Sequence, residues 1–146
     1  MSTTMESELL DRGGGRERLD ATGTAYSLLH GAFTTLPVVV GIDKFLHLLT
    51  DWNGYLAPSL AKLSPIPVSL LMRITGVVEI LVGLVVALRP AIGAWLVAGW
   101  LVAIVFDLCL AGGFLDIALR DAVLAVAAVA LALLARGRTH GSRSRA

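Results

Sequence analysis

The apolar residues of this chain fall into four long blocks, separated by short polar or helix-breaking segments. Each block is close to the roughly 20 residues that an α-helix needs to cross the hydrocarbon core of a bilayer. The blocks cover residues 25–49, 66–88, 91–115 and 117–135. This pattern predicts an all-α fold, an integral membrane four-helix bundle in which consecutive helices, joined by short connections, are antiparallel neighbours.

The breaks between the blocks have physical causes. The polar, proline-containing stretch from Asp51 to Pro67 prevents the first block from continuing as a helix into the second. Arg89 and the proline after it predict a tight turn before the third block, and Gly112 predicts the end of that helix. Pro37 lies inside the first block, where we expect it to kink a helix without breaking the span.

The basic residues predict the orientation of the bundle, because the cytoplasmic loops and tails of membrane proteins are enriched in Lys and Arg. One side carries eight of the 12 basic residues and the other side carries four. We therefore predict a plasma-membrane protein with both termini in the cytoplasm. A disordered tail is expected over residues 1–24, a membrane domain over 25–135 and a basic tail over 136–146. The larger group is Arg12, Arg16, Arg18, Arg89, Arg136, Arg138, Arg143 and Arg145, and the smaller group is Lys44, Lys62, Arg73 and Arg120.

The composition agrees with a membrane domain and excludes several classes of function. Hydrophobic residues make up 56% of the chain and charged residues 16%, which is too little charge for a soluble surface. A net charge of +1 gives no reason to expect a nucleic-acid partner. The single Cys109 excludes an intramolecular disulfide and a cysteine-based zinc cage, and no metal site is expected. No sequence motif of a hydrolase, metalloprotease or phosphate-binding loop is present, so enzymatic activity stays an open question.

Ionisable residues inside the predicted spans are the most informative feature, because each is costly in lipid unless it is paired or hydrated. The topology brings most of them to the outer half of the membrane, with Glu79 deeper. We name the following eight residues the polar cluster: Asp43, Lys44, His47, Arg73, Glu79, Asp107, Asp116 and Arg120. Asp121 also belongs to the opening of the fourth span but is not included in this cluster.

Spacing along the helices predicts how the members of the polar cluster pair. Residues four apart share a helix face, which predicts two contacts within helices. These are Asp43 with His47 and Asp116 with Arg120. Two further contacts are predicted between helices, Lys44 with Glu79 and Arg73 with Asp107.

Two interpretations of the polar cluster stay open. In the first, buried pairs hold the four helices together and fix their register. In the second, the cluster lines a cavity that opens to the outer face. That cavity would bind a small polar substrate or the head group of a quinone, or relay protons through Glu79, Asp107 and His47.

Two short motifs resemble the DoxX and DoxX-like family of small membrane proteins. The segment from Gly41 to Phe45 resembles the family's Gly-x-x-Lys-Phe pattern at the end of the first helix, and the segment from Gly76 to Gly83 resembles its Gly, Glu, Gly pattern in the second. The resemblance covers about residues 26–136. It implies a four-helix membrane protein, with Lys44 and Glu79 matching the family's charged positions, and relatives that act in quinone-linked or redox complexes.

We therefore expect a membrane subunit of a redox or oxidative-stress assembly. Its partners would be the lipid bilayer and soluble or membrane redox proteins, with a homo-oligomer as a further arrangement. No cofactor is evident in the sequence, and quinone is the candidate ligand. The alternatives are a small-solute or ion carrier and a structural membrane protein without catalytic activity.

Overall fold

A computed structural model describes the backbone of residues 2–143 and the side chains of residues 20–138. Within this part of the chain the regular structure is entirely helical, which confirms the predicted all-α class. A short 3-10 turn lies at Trp52–Tyr55. The five α-helices are α1 Ser2–Leu46, α2 Pro58–Leu63, α3 Val68–Leu88, α4 Pro90–Ala111 and α5 Leu115–Arg143.

Four segments of these helices are long and apolar enough to cross a membrane. Their mean hydropathy lies between 1.4 and 2.3, and most of their residues face outward rather than into the protein. Helices that are apolar on their outward faces are typical of membrane proteins. The candidate spans are Asp20–Leu46, Val68–Leu88, Pro90–Ala111 and Leu115–Arg138.

The four long helices form a closed ring in which α1 packs against α3, α3 against α4, α4 against α5, and α5 against α1. The first of these pairs is antiparallel, because Gly41 of α1 lies opposite Gly76 of α3, and Val38 lies opposite Gly83. We call the end of the bundle that carries the α3–α4 connection at Arg89 the turn end. The opposite end carries residues 47–67, which we call the cover segment, and is named the loop end.

Two helices end earlier than predicted, and left-handed backbone explains both ends. Helix α1 ends at Leu46 rather than at residue 49, because His47 has a φ of 54°. Helix α4 ends at Ala111 rather than at residue 115, because Gly112 has a φ of 74° and donates its N–H to the carbonyl of Leu108 at 3.1 Å. Gly is the usual residue at such a helix end, whereas a histidine there is uncommon.

Helical backbone extends into both of the terminal tails that the sequence predicts. The backbone of α1 is helical from Ser2, and that of α5 is helical as far as Arg143. Glu, Leu and Arg are frequent in the N-terminal segment and Arg in the C-terminal one, and these residues favour helix, although residues 13–15 are all glycine. The cytoplasmic location of both tails stays a prediction.

The buried apolar core fills the turn end of the bundle. Apart from Phe33, its side chains are small or medium in size, so that the helices approach closely. Tyr26, Leu29 and Val82 pack against its edge. The core cluster consists of Phe33, Val86, Ala94, Val97, Ala98, Ala128, Leu131 and Ala132.

Candidate functional site

Glycines allow α1 and α3 to approach very closely in the middle of their interface. A Cβ atom added at Gly41 would lie 2.6 Å from the carbonyl oxygen of Gly76, and one added at Gly76 would lie 2.7 Å from the carbonyl oxygen of Gly41. At Gly83 an added Cβ would lie 2.7 Å from a methyl carbon of Val38. The two backbones therefore touch at positions where any side chain would be in the way.

Lys44 and Glu79 meet across this crossing, three residues beyond Gly41 and Gly76 in each helix. The side chains of a helix tilt toward its N-terminus, so those of two antiparallel helices tilt toward each other. The Nζ atom of Lys44 lies 2.6 Å from Oε2 of Glu79, and both side chains are buried. This confirms the predicted pairing of the two residues. The indole N–H of Trp100, on α4, donates to the other carboxylate oxygen of Glu79 at 3.3 Å.

Trp52, in the cover segment, lies over the Lys44–Glu79 pair. Its ring centre is 4.1 Å from Nζ of Lys44, a distance at which an ammonium group is attracted to an aromatic face. Its indole N–H donates to Oδ2 of Asp43 at 2.8 Å. One aromatic side chain therefore contacts the cation of the pair and is itself fixed by the neighbouring carboxylate.

Asp43 fixes the start of the cover segment. Besides Trp52, its carboxylate accepts the backbone N–H groups of Leu48 at 3.0 Å and of Leu49 at 3.1 Å. These N–H groups follow the left-handed turn at His47, where the helix can no longer supply partners. Although Asp43 lies within a span, its carboxylate is buried and satisfied by donors of the cover segment.

Asp107 fixes the cover segment to α4. Its Oδ1 atom accepts the backbone N–H of Ala57 at 2.9 Å, and Ala57 is fully buried. Nearby, the ring of Tyr55 stacks on that of Phe114, with ring centres 4.7 Å apart. The cover segment is therefore joined to α1 through Asp43, to α4 through Asp107 and to the α4–α5 connection through an aromatic stack.

A cavity of about 680 Å³ lies under the cover segment, enclosed by α1, α3, α4 and α5. This volume lies within the range of known small-molecule sites, roughly 300–1,000 Å³. Most of its wall is apolar, and its floor is formed by side chains of the core cluster at the turn end. The polar or aromatic residues on the wall are Lys44, Trp52, Glu79, Trp100, Asp107 and Asp121, with Phe33, Thr50, Tyr55, Thr75 and Arg120.

Arg120 and Asp121 form the second ion pair within the described part of the chain. The Nε atom of Arg120 lies 3.4 Å from Oδ1 of Asp121. The Arg120 side chain is 68% exposed, whereas that of Asp121 is 11% exposed. The carboxylate therefore belongs to the interior, and its partner reaches it from outside.

Three of the four predicted pairings are wrong, and each for a different reason. Asp43 and His47 do not pair because α1 ends before His47, which is exposed. Arg73 is exposed on the outside of the bundle, where its long stem can carry the charge toward the membrane interface, and Asp107 bonds the cover segment instead. Arg120 contacts Asp121 rather than Asp116, since Asp116 is exposed in the first turn of α5.

The structure therefore divides the polar cluster. Lys44, Glu79, Asp107 and Arg120 lie on the cavity wall, and Asp43 lies behind it and holds Trp52. The remaining members are exposed and do not line the cavity; they are His47, Arg73 and Asp116.

Sequence reasoning missed several residues of the wall, among them Trp52, Trp100 and Asp121. Asp121 is absent from the polar cluster because the four-residue spacing of Asp116 and Arg120 predicted a pair that does not include it. Trp100 was missed because a tryptophan inside an apolar span looks like core or lipid contact. The signal that could have found it is the indole N–H, which needs an acceptor when buried in a membrane.

Two further findings complete the description of the site. Among residues 20–138, no three His, Cys, Asp or Glu side chains are grouped as metal ligands would be. A comparison of the chain with family models, with curated proteins and with solved structures finds no match.

Proposed function

We propose that the chain is a multi-pass plasma-membrane protein, with both termini in the cytoplasm, that binds a lipid-soluble ring compound of the quinone class. We further propose that it serves as a membrane subunit of a redox or stress-response assembly. The observation that carries the proposal is the buried Lys44–Glu79 pair on the wall of a largely apolar cavity of about 680 Å³.

The cavity wall supports a ligand with an apolar body and a small polar head. Apolar side chains can enclose a ring and the beginning of a hydrocarbon tail, and the Lys44 ammonium is a buried donor for an oxygen of the head. The resemblance of the segments around Lys44 and Glu79 to the DoxX family supports the quinone class. Residues that would hold such a ring are Lys44, Trp52 and Trp100.

The two ends of the bundle support the proposed orientation. Basic side chains lie over aromatic rings at the turn end, where Arg136 is 5.4 Å from the ring centre of Trp95 and Arg138 is 4.4 Å from that of Tyr26. Arg is enriched at the cytoplasmic side of membrane proteins, and aromatic residues are enriched at both membrane interfaces. The cavity and its cover segment would then face the outer side.

Binding is favoured over transport by the way the bundle is filled. A carrier needs a route past the binding site to the other side of the membrane. Here the core cluster fills the turn end, and Val86, Leu131 and Ala132 within it are fully buried. The cavity is therefore a pocket with a packed floor.

We propose a partner protein because the described residues form a pocket for a ligand but no group of side chains that could hold a redox metal. Electron transfer to or from a quinone needs a second redox group, which a partner protein would supply. This part of the proposal is tested together with the ligand, by purifying the protein gently from its own membranes.

The experiment is extraction of the tagged chain in native lipid discs, followed by mass spectrometry of bound quinones and of co-purifying proteins. We expect quinone in proportion to the protein and a redox protein in constant ratio. Neither quinone nor a redox partner in the wild-type sample would refute the proposal.

Two variants show whether the ion pair recognises the ligand. Glu79→Gln leaves Lys44 buried without a counter-charge, which is expected to cost about 3–5 kcal/mol of stability and so confounds loss of ligand with loss of fold. The double variant Lys44→Met, Glu79→Leu removes both charges, and such replacements are often close to neutral for stability. We expect the double variant to stay folded and to lose the quinone. A folded double variant that retains the quinone would show that the pair does not bind it.

A further inference from the structure

Several hydrogen-bond donors on the cavity wall are used by the protein itself. The indole N–H groups of Trp52 and Trp100 donate to carboxylates of neighbouring helices. The hydroxyl of Thr75 donates to a backbone carbonyl of its own helix at 2.8 Å. Other donors on the wall are the ammonium of Lys44, the guanidinium of the largely exposed Arg120, and the hydroxyls of Thr50 and Tyr55.

Two carboxylates on the same wall keep unused acceptor positions. An ionised carboxylate offers about four acceptor positions. Asp107 accepts one described hydrogen bond, from the N–H of Ala57, and Asp121 accepts one, from Arg120 at 3.4 Å. Asp121 is only 8% exposed, so a ligand group in the cavity is a natural source of further donors.

The indole ring of Trp52 over Lys44 indicates which kind of aromatic ring binds favourably beside this ammonium group. An indole is electron-rich, and its face lies 4.1 Å from the ammonium. A cation attracts electron-rich rings more strongly than electron-poor ones. The ring of a quinol is electron-rich because its hydroxyls donate electron density, whereas the carbonyls of a quinone withdraw it.

We infer that the cavity selects the hydroxylated, reduced form of its ligand, a quinol or a similar lipid-soluble phenol, over the quinone form. This inference rests on the proposed function, since it concerns the ligand of the same cavity. The hydroxyl groups of the ligand donate to Asp107 and Asp121, and its ring lies against the ammonium of Lys44 beside Trp52.

The test measures equilibrium binding to the full chain in lipid nanodiscs under anaerobic conditions, with protein-free nanodiscs as the baseline. The probes are a decyl-substituted benzoquinol, the matching benzoquinone and the dimethyl ether of the quinol. We expect the quinol to bind about tenfold more tightly than the quinone, the effect of one hydrogen bond to a charged group. The ether keeps the electron-rich ring but has no donor, so we expect it to bind far more weakly than the quinol.

Two variants assign the preference to the carboxylate on the wall. Asp121→Asn is expected to bring the affinities for quinol and quinone within about threefold of each other, because an uncharged amide is a weaker acceptor. Asp116→Asn is the matched control, since Asp116 is exposed in the same helix and does not line the cavity. It should leave the preference unchanged.

The possible results separate this inference from the proposed function. Equal binding of quinol and quinone, tighter binding of the quinone, or equal binding of quinol and ether would each overturn the inference and leave the proposed pocket intact. A preference that survives in the double variant Asp107→Asn, Asp121→Asn would also overturn it. If the wild-type chain binds neither form, the proposed function itself fails.

Discussion

The contact between Gly41 and Gly76 is the feature on which the geometry of the whole site depends. Replacing Gly41 by alanine places a Cβ atom 2.6 Å from the carbonyl oxygen of Gly76 and 2.8 Å from a side-chain carbon of Ile80. The first of these neighbours is backbone and cannot rotate away. The helices α1 and α3 must therefore move apart, which also lengthens the contact between Lys44 and Glu79.

The expected cost can be isolated by a control on the same helix. Overpacking of a tight interface costs about 1–3 kcal/mol. Alanine also raises helix propensity by up to about 1 kcal/mol relative to glycine, which offsets part of this cost. Gly31 also lies in α1 and has no atom within 4 Å of an added Cβ, so Gly31→Ala carries the propensity gain alone. The difference between the two variants is the steric cost, about 1–3 kcal/mol.

The assay is the free energy of unfolding from titration with a denaturing detergent in mixed micelles, followed by circular dichroism. We expect Gly41→Ala to be less stable than Gly31→Ala by the amount given above, and Gly76→Ala to behave like Gly41→Ala. A difference below about 0.5 kcal/mol, the range of an exposed substitution, would show that the two backbones do not touch at this crossing.

Three further predictions concern the cover segment and the topology. His47→Gly should raise the free energy of unfolding by up to about 1 kcal/mol, because glycine adopts the φ of 54° without strain; a loss of stability would contradict this. Asp43→Ala should speed proteolysis within residues 47–67, since three N–H groups lose their acceptor; an unchanged cleavage rate would count against the attachment. In a cysteine-free background, Lys62→Cys should react with an impermeant thiol reagent in intact cells, and Arg89→Cys only after permeabilisation; the reverse pattern would refute the proposed orientation.

The four spans and the Lys44–Glu79 pair could be predicted from the sequence because both depend on local rules. The spans follow from hydropathy and from helix breakers such as Pro90 and Gly112. The pair follows from two opposite charges in neighbouring helices, each three residues after a glycine. A buried charge in lipid must find an opposite one, and few candidates were available.

The partners of the other carboxylates could not be predicted, because they depend on the path of the cover segment. Nothing in the helical spacing indicates that the N–H of Ala57 would reach Asp107, or that Trp52 would return to Asp43. Both contacts join residues of an irregular segment to residues of a span. The prediction assumed that charges in spans pair with other charges, whereas backbone N–H groups satisfied two of them.

The contacts of the carboxylates near the loop end give these carboxylates two different roles. The carboxylate of Asp43 accepts three donors from the cover segment and is thereby a part of the fold. That of Asp121 accepts one, from a largely exposed arginine, although the Asp121 side chain is only 11% exposed. A buried acceptor without a donor costs free energy. The unused acceptor positions therefore lie on the cavity wall and not in the core cluster. A ligand that supplies the missing donors would therefore bind at the one end of the bundle where packing leaves room for it.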